Sequence, residues 1–240
     1  MNKSLFHYID DLERLLEILG EGFVPNYHLE DLTSEGHKDL YRGIPMVSFS
    51  DIDPDPKCSH KHRKNYGNYC IGLKKEWALS CNDINPIMYV SSPALLMIVQ
   101  SNLIDSDLFG FIKKYTSPWD NDPNHINYDE CEWRYVVHDP EVKWMQSKDE
   151  YDKWRGDTNL KRPKPTEALR RNVLTFKVED ITHLCVPTEE EKEQLIESIR
   201  NLDCFSGREG KLNEDDIQYL NSAIRVIHPV LPSKNNPLMH

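Results

Sequence analysis

The apolar positions near the N-terminus follow two different periods. Leu5 to Tyr8 is a short apolar and aromatic run, which predicts a strand. Apolar residues then recur at helical spacing from Leu12 to Leu19, and Asp10 or Asp11 stands where a helix cap would. The chain is therefore expected to open with a strand followed by a capped helix.

Runs of the same two kinds predict most of the remaining elements. Short β-prone runs predict strands at 44–49, 69–73, 87–90, 131–137, 173–178 and 181–187. Helical spacing and capping residues predict helices at 74–79, from 92 to about 115, from 188 to about 202 and from 213 to about 226. Residues 23–43 are mixed, and Gly36 and Gly43 break any long element there. Asp51 to Pro56 predicts a turn, and 116–128, rich in Asn, Asp and Pro, predicts a loop.

The order of these elements indicates the fold class. Roughly six strands alternate irregularly with four or five helices, so a doubly wound parallel sheet is not expected. We predict an α+β fold with a mixed or split sheet flanked by helices. We also predict a single domain over residues 1–228, a charged surface insertion at about 138–172, and a flexible tail at 229–240.

Composition narrows the classes of partner. The chain has 40 Asp and Glu against 29 Lys and Arg, a net charge of -11, which repels phosphate backbones and makes nonspecific nucleic-acid binding unexpected. Met1 to Leu5 lacks the apolar region of a signal peptide, and the longest apolar run, Ala94 to Val99, is too short to span a membrane. Six dispersed cysteines without a CxxC pair fit reduced thiols. We therefore expect a cytoplasmic protein with no membrane partner.

Motifs that mark several common enzyme classes are absent. The sequence has no GxGxxG, P-loop, HExxH or GxSxG pattern. Cys58, His60 and His62, followed by Cys70, are residue types that bind zinc, but no pair has the spacing of a zinc finger. A solvated loop is the favoured interpretation of this segment, and we expect no metal.

The predicted strand at 131–137 carries charged residues at alternate positions. Glu130, Glu132 and Arg134 lie two residues apart, so a strand would project all three from one face. One interpretation is a structural Glu–Arg salt bridge. The other is a carboxylate held by its neighbours at a cleft, where it could act as a base or stabilise a cation.

A set of motifs extends over about the first 140 residues. The most specific is the block His-x3-Tyr-Gly-x-Tyr-x-Ile-Gly-Leu-Lys-Lys-Glu-Trp at His62 to Trp77, in which Cys70 stands where a small residue is expected. The others are Phe6-His7-Tyr8, Leu15 to Phe23, Phe49 to Ile52, Asn85 to Val90 and Glu130 to Arg134. Together they resemble the AbiGi family of abortive-infection, or phage-resistance, proteins, which are named as antitoxins. The resemblance implies a phage-defence role and, as partner, a co-encoded toxin or antitoxin or a phage protein.

The opening His-Tyr…Leu-x-x-Ile-Leu-x-x-Gly also resembles the start of ADP-ribosyltransferase folds. That resemblance implies NAD as the bound nucleotide and His7 and Glu132 as catalytic residues. His7 would hold the nicotinamide ribose, and Tyr66 or Tyr69 would stack. Glu132 would orient the ribose hydroxyl and stabilise the oxocarbenium character as nicotinamide leaves. The further residues expected to bind NAD are Tyr8, Ser48 and Arg134.

Three functions remain open at the level of sequence. The first is an ADP-ribosyltransferase-like enzyme that uses NAD to modify a macromolecule during phage infection. The second is a non-enzymatic antitoxin that binds a co-encoded toxin through its acidic surface. The third is a binding module that recognises a nucleotide or a phage protein through a catalytically silent pocket.

Overall fold

The computed structural model describes residues 3–34, 37–81, 83–101, 107–119, 122–156 and 163–229. Over these residues the helices are α1 (Leu12–Glu21), α2 (Pro56–Tyr66), α3 (Lys75–Ser80), α4 (Ser92–Gln100), α5 (Lys148–Arg155), α6 (Glu167–Arg171), α7 (Glu189–Arg200) and α8 (Glu214–Ala223). The strands are β1 (Ser4–Ile9), β2 (Asn26–Asp31), β3 (Tyr41–Ser50), β4 (Tyr69–Lys74), β5 (Ile84–Pro86), β6 (Met88–Val90), β7 (Ile112–Lys114), β8 (Thr116–Trp119), β9 (Asp122–Ile126), β10 (Glu132–Val136), β11 (Ile181–Val186), β12 (Cys204–Phe205), β13 (Arg208–Glu209) and β14 (Ile224–Val226).

The chain divides into two compact units. Unit 1 comprises Met1–Val24, Phe49–Asn82 and Val173–Met239, and unit 2 comprises Pro25–Ser48 and Asp83–Asn172. The boundary after Ser48 falls inside β3. The single domain predicted over residues 1–228 stays a prediction, and the tail predicted from residue 229 lies almost wholly outside the described residues.

Unit 1 contains a mixed sheet with the strand order β14-β11-β4-β1. β1 and β4 are antiparallel along all six residues, from Ser4 opposite Lys74 to Ile9 opposite Tyr69. β4 and β11 are also antiparallel, whereas β11 and β14 are parallel. The predicted α+β class with a mixed sheet is confirmed, and the likeness to ADP-ribosyltransferases stays a prediction.

Capping residues position the helices of unit 1 as the sequence predicts. The Asp11 side chain accepts a hydrogen bond from the Arg14 N–H at the start of α1. Thr188 caps α7 in the same way, and Asn213 caps α8. Each cap satisfies a backbone donor that lacks a partner within its helix, which is why these polar residues mark helix starts in the sequence.

Unit 2 is built from short strands and three helices. β2 pairs antiparallel with β3 from Asn26 opposite Met46 to Asp31 opposite Tyr41, and β5 pairs antiparallel with β10. β6 pairs parallel with β7, and β8 pairs antiparallel with β9. Buried apolar side chains from β2's end, α4 and β7 pack together at Leu32, Leu95, Val99, Phe109 and Ile112.

Two predicted elements of unit 2 are wrong. The helix predicted from 92 to about 115 ends at Gln100, and residues 107–111 form a 3-10 turn that leads into β7. The loop predicted at 116–128 contains the β8–β9 pair. In both segments, strand pairing with a neighbouring segment overrides the local sequence preference, because each ladder satisfies the backbone groups of two segments at once.

Two further predictions fail, at the Cys58–His62 segment and at 173–178. The loop predicted around Cys58–His62 is helix α2, and the mixed segment at 23–43, for which no element was predicted, contains β2. Arg63 of this polar helix is buried and donates to the carbonyls of Ile227 and His228, a tertiary contact that local composition does not reveal. The strand predicted at 173–178 is reduced to one bridge between Leu174 and Phe23.

Gly67 fixes the turn between α2 and β4. Its φ of 111° lies in the region that favours glycine, and its N–H donates to the Arg63 carbonyl. A Cβ atom at this position would lie 2.0 Å from the carbonyl oxygen of Ile9. The close approach of two backbone segments therefore requires glycine here.

Replacement of Gly67 by alanine should be far more costly than the same replacement at Gly210. Gly210 has a similar φ of 115° but open space around its Cβ position. We expect Gly210→Ala to lower the free energy of unfolding by about 1–3 kcal/mol through backbone strain alone. Gly67→Ala should lower it by more than about 4 kcal/mol, because the backbone of β1 must also move.

Urea unfolding followed by circular dichroism measures both losses. Because the two positions share the strain of a positive φ, the difference between the variants isolates the contact with Ile9. Equal losses at the two positions would show that the contact does not hold β1 against the turn.

Candidate functional site

The alternation of β10 places two charged residues inside unit 2. Along Glu132–Val136 the first, third and fifth side chains are buried, while Trp133 and Tyr135 are only partly so. The buried face therefore carries Glu132 and Arg134 in place of apolar residues. A buried charge is costly unless it is paired and hydrogen-bonded, so the surrounding partners decide what these two residues can do.

Both oxygens of the Glu132 carboxylate are saturated with donors. Oε1 accepts from Ser48 Oγ at 2.8 Å and from Arg134 Nε at 2.7 Å. Oε2 accepts from Lys113 Nζ at 3.2 Å and from Arg134 Nη2 at 3.1 Å. The Glu132 backbone N–H donates to the Tyr89 hydroxyl at 2.8 Å. The carboxylate has about four lone-pair positions, and four donors occupy them.

Arg134 is fully buried and reaches two more acceptors. Its Nη2 lies 2.8 Å from Glu30 Oε1, and its Nη1 donates to the carbonyl of Gly110 at 3.0 Å. The guanidinium therefore ties β2 and the 3-10 turn at 107–111 to β10. Its fork of fixed donors suits this role, because it can serve several acceptors in one plane.

Lys113 links Glu132 to a second buried carboxylate. Its Nζ lies 2.6 Å from Glu130 Oε2, and the other oxygen of Glu130 lies 3.2 Å from His125 Nε2. Glu132 and Arg134 share the buried face of β10 as the alternation predicts, whereas Glu130 joins them through Lys113 and not by strand alternation. Glu130 ends a 3-10 turn at Asn127–Glu130, and the left-handed Cys131 (φ 46°) separates it from β10.

These contacts shift the pKa values of the carboxylates in opposite directions. Burial alone would raise the pKa of Glu132, but the charges of Arg134 and Lys113 outweigh it and hold that pKa well below the ordinary 4.5. For Glu30, burial prevails over the charge of Arg134, and the pKa is raised. The cationic side chains of Arg134 and Lys113 thus favour the charged form of Glu132, whereas burial favours the neutral form of Glu30.

The predicted NAD-binding residues fall in both units. Ser48, Glu132 and Arg134 lie in unit 2, where the hydrogen bonds above bring them together. His7, Tyr8, Tyr66 and Tyr69 lie in unit 1. Their roles as catalytic or NAD-binding residues stay predictions.

Within unit 1, the strand alternation separates His7 from Tyr8. The His7 ring packs edge-on against Phe23 and Phe49, at centroid distances of 5.2 and 5.9 Å. Tyr8 contacts the ring of His62, which also contacts Tyr66, both at 4.5 Å. His7 is thus part of an aromatic core, and Tyr8 and Tyr66 meet through a histidine.

The hydroxyl groups of two unit 1 tyrosines have hydrogen-bond acceptors. Tyr8 donates to the Ile52 carbonyl at 2.9 Å, and Tyr69 donates to the carboxylate of Glu191 in the first turn of α7. Burial raises the pKa of both phenols above their ordinary value. Both side chains therefore stay neutral at physiological pH.

Sequence reasoning missed four members of the unit 2 network: Glu30, Tyr89, Lys113 and His125. Glu30 lies on β2, where the alternation of Tyr27 and Leu29 with polar residues was a usable strand signal. Lys113 was assigned to the end of a helix, which hid its position on a strand. His125 was assigned to a loop.

The described parts of the chain show neither a metal site nor a membrane span. No group of three or more His, Cys, Asp or Glu there could hold a metal ion. The side chains of Cys58 and His60 lie outside the described set. In the same residues, no helix is long and apolar enough to cross a membrane.

The chain is an α+β protein with a buried ion-pair network in its second unit. A family model described as "Putative abortive phage resistance protein AbiGi, antitoxin" matches residues 21–187. The chain therefore belongs to the AbiGi family, whose described role is phage resistance. A comparison with curated proteins finds no match, and a comparison with solved structures finds none.

Glu132 and Glu30 both contact Arg134, but their neutralisation should change the free energy of unfolding by different amounts. The folded-state pKa of Glu132 lies below 4.5, so its contribution to stability is present above about pH 4.5 and is lost as pH falls towards that pKa. We expect Glu132→Gln to lower the free energy of unfolding at pH 7 by about 3–5 kcal/mol, because Arg134 loses its charged partner. The variant should also lose much of the pH dependence below 4.5.

Glu30→Gln is the matched control for this measurement. The folded-state pKa of Glu30 lies above 4.5, so its contribution is present below that pH and is lost as pH rises through the folded pKa. Its neutralisation should therefore cost less at pH 7 than that of Glu132. Urea unfolding between pH 3 and pH 7 measures the stability of both variants. Equal losses of unfolding free energy for Glu132→Gln and Glu30→Gln would contradict the opposite pKa shifts of the two carboxylates.

Proposed function

We propose that this chain is an antitoxin that neutralises a co-encoded toxin by binding it. The observation that carries the proposal is the saturation of the Glu132 carboxylate by donors from Ser48, Lys113 and Arg134. A carboxylate that acts as a base, or that orients a substrate hydroxyl, needs a free lone pair. At Glu132 such a role would require one of these bonds to break.

The charged side chains of the Glu132–Arg134 network therefore have a structural role in unit 2. They connect β2, β3, β7 and β10, and so they hold the surface that these strands and their turns present. Arg134 is entirely buried and only 9% of the Glu132 side chain is exposed. A partner protein would then contact the surface built on this network, and not the network itself.

Net charge supports a basic partner. The chain has a net charge of -11, which speeds association with a positively charged protein surface and opposes contact with nucleic acid. The family description names an antitoxin, and an antitoxin acts on a toxin. These observations therefore favour a toxin with a basic surface as the partner.

Co-expression with the toxin tests the proposal. We expect the chain to restore the growth of cells that express the toxin and to co-purify with it. Because binding does not need the predicted catalytic groups, His7→Ala and Glu132→Gln should retain both properties. The assays belong at a temperature at which circular dichroism shows each variant to be folded.

Two outcomes would contradict the antitoxin proposal. One is toxicity of the chain when it is expressed alone. The other is loss of growth rescue in a folded Glu132→Gln variant while Glu30→Gln retains it, because both substitutions replace a carboxyl group of the same network by an amide.

An NAD-using activity is a second proposal. What supports it is that three of the residues expected from the sequence, Ser48, Glu132 and Arg134, share one set of hydrogen bonds. The set does not fit a bound ribose as it stands, because every lone pair of the Glu132 carboxylate faces a protein donor. Binding of a ribose hydroxyl would require displacement of Ser48 or Lys113.

Release of nicotinamide from NAD by the purified chain tests this second proposal. If it holds, turnover should fall at least about 100-fold in Glu132→Gln and in His7→Ala. Glu30→Gln should retain it, since that residue contacts only Arg134 in the network. Absence of NAD binding by the wild-type chain, with and without the toxin, would reject the proposal.

A further inference from the structure

Three tyrosines of unit 2 form one surface cluster, here called the tyrosine cluster: Tyr89, Tyr115 and Tyr128. The rings of Tyr115 and Tyr128 are stacked with centroids 5.8 Å apart, and Tyr89 meets Tyr128 edge-on at 5.3 Å. Tyr115 is 44% exposed and Tyr128 is 55% exposed. Large exposed aromatic groups in contact with one another are unusual on a surface that binds nothing.

Backbone and side-chain hydrogen bonds hold the cluster in place. The Tyr89 hydroxyl accepts from the Glu132 N–H. The Tyr115 N–H donates to the Val90 carbonyl at 2.7 Å, and its carbonyl accepts from the Asn127 N–H at 2.9 Å. The Tyr89 hydroxyl and the backbone of Tyr115 are therefore fixed by hydrogen bonds, and the rings of the cluster contact one another.

Asn127 is the link between the turn that carries Tyr128 and the strand before Tyr115. It is buried, and its Nδ2 donates to the Lys114 carbonyl and to Ser117 Oγ, both at 2.9 Å. A preorganised aromatic surface loses little conformational entropy when it binds, which makes it suited to carry the binding energy of an interface.

The chain segment that carries the tyrosine cluster is predominantly acidic. Residues 83–132 contain eight Asp and Glu and only two basic residues, Lys113 and Lys114. Both lysines are engaged in ion pairs, Lys113 with Glu130 and Glu132 and Lys114 with Asp31. Among the residues of this segment that the structure describes, the exposed acidic ones are Asp83, Asp107, Asp122 and Asp129.

Exposed tyrosine rings on an acidic segment favour a positively charged ligand. The face of an aromatic ring attracts a guanidinium or an ammonium group, and a surrounding negative field strengthens that attraction. The same field repels the phosphates of nucleic acid and a second copy of this acidic chain. Arginine and lysine side chains of a basic protein segment fit both the rings and the charge.

We propose that the tyrosine cluster is the docking site for a basic, arginine- or lysine-bearing segment of the toxin. This inference rests on the proposed antitoxin function and adds to it the surface and the chemistry of the contact. Cationic side chains of the toxin pack on the rings of Tyr115 and Tyr128, and the acidic residues around them steer the approach.

The double variant Tyr115→Ala/Tyr128→Ala tests the docking site. We expect the dissociation constant for the toxin, measured by calorimetry, to rise at least about tenfold, since exposed tyrosines at interface centres contribute strongly to affinity. Tyr115→Phe/Tyr128→Phe keeps the ring faces and should stay within about threefold of the wild type. Met97→Ala, at a residue of the same unit that is 71% exposed, is the matched control and should leave the affinity unchanged.

Two further measurements test the chemistry of the ligand. A hexa-arginine peptide should compete with the toxin for the wild-type chain, and a hexaglutamate peptide should not. The association rate of the toxin should fall as ionic strength rises. Thermal unfolding of each variant, followed by circular dichroism, confirms that the alanine pair is folded, and the phenylalanine pair supplies the comparison if it is not.

The outcomes separate the two proposals. Failure of the wild-type chain to bind the toxin overturns the antitoxin function and the docking site with it. Toxin binding that is equal in the wild type and the alanine pair overturns the docking site alone. Two other results also overturn it: binding of an oligonucleotide that the alanine pair loses, or self-association that the alanine pair abolishes.

Discussion

The buried pair of Glu132 and Arg134 is the constraint on which unit 2 depends. Two charges inside a protein are tolerated only when each is hydrogen-bonded from several sides. Glu30 on β2, Ser48 on β3 and Lys113 on β7 supply those bonds, and so does the carbonyl of Gly110. Segments up to about a hundred residues apart in the chain are thereby required to meet at β10. Loss of either partner would leave the other charge buried without its partner, which is why the pair constrains how these segments meet.

In unit 1, aromatic packing and single hydrogen bonds accommodate the polar residues of the strands. His7 lies among the rings of Phe23 and Phe49, and Trp77 and Phe176 extend the cluster. Its polar strand residues are absorbed by single contacts, such as those from Tyr8 to Ile52 and from Tyr69 to Glu191. The polar residues that interrupt the N-terminal strands are thus largely explained by packing and hydrogen bonding in one unit. The charged network belongs to the other.

The predictable part of the structure was the local part. Asp11, Thr188 and Asn213 cap helices because a short polar side chain meets a free N–H three residues away, and this can be recognised in the sequence. The alternation of Glu132 and Arg134 was equally visible.

What could not be predicted was pairing between distant segments. Lys113 follows an apolar run that also suits a helix, and only the parallel pairing of β7 with β6 makes it a strand residue. Arg63 is a buried residue of a polar helix because the carbonyls of Ile227 and His228 are its acceptors, more than 160 residues away. Such choices are made by tertiary partners, which a single sequence does not display.

The extent of the family match has a consequence for the sheet of unit 1. The match, residues 21–187, includes β4 and β11 but neither of the strands that flank them, β1 on one side and β14 on the other. A fragment cut to the matched residues would leave the backbone groups of both outer edges unpaired, and unpaired edges recruit strands from other molecules. It would also lack the acceptors of Arg63 in Ile227 and His228. The segment that defines the family is therefore shorter than the segment that closes the sheet, and a fragment designed on the family boundaries would be prone to aggregate.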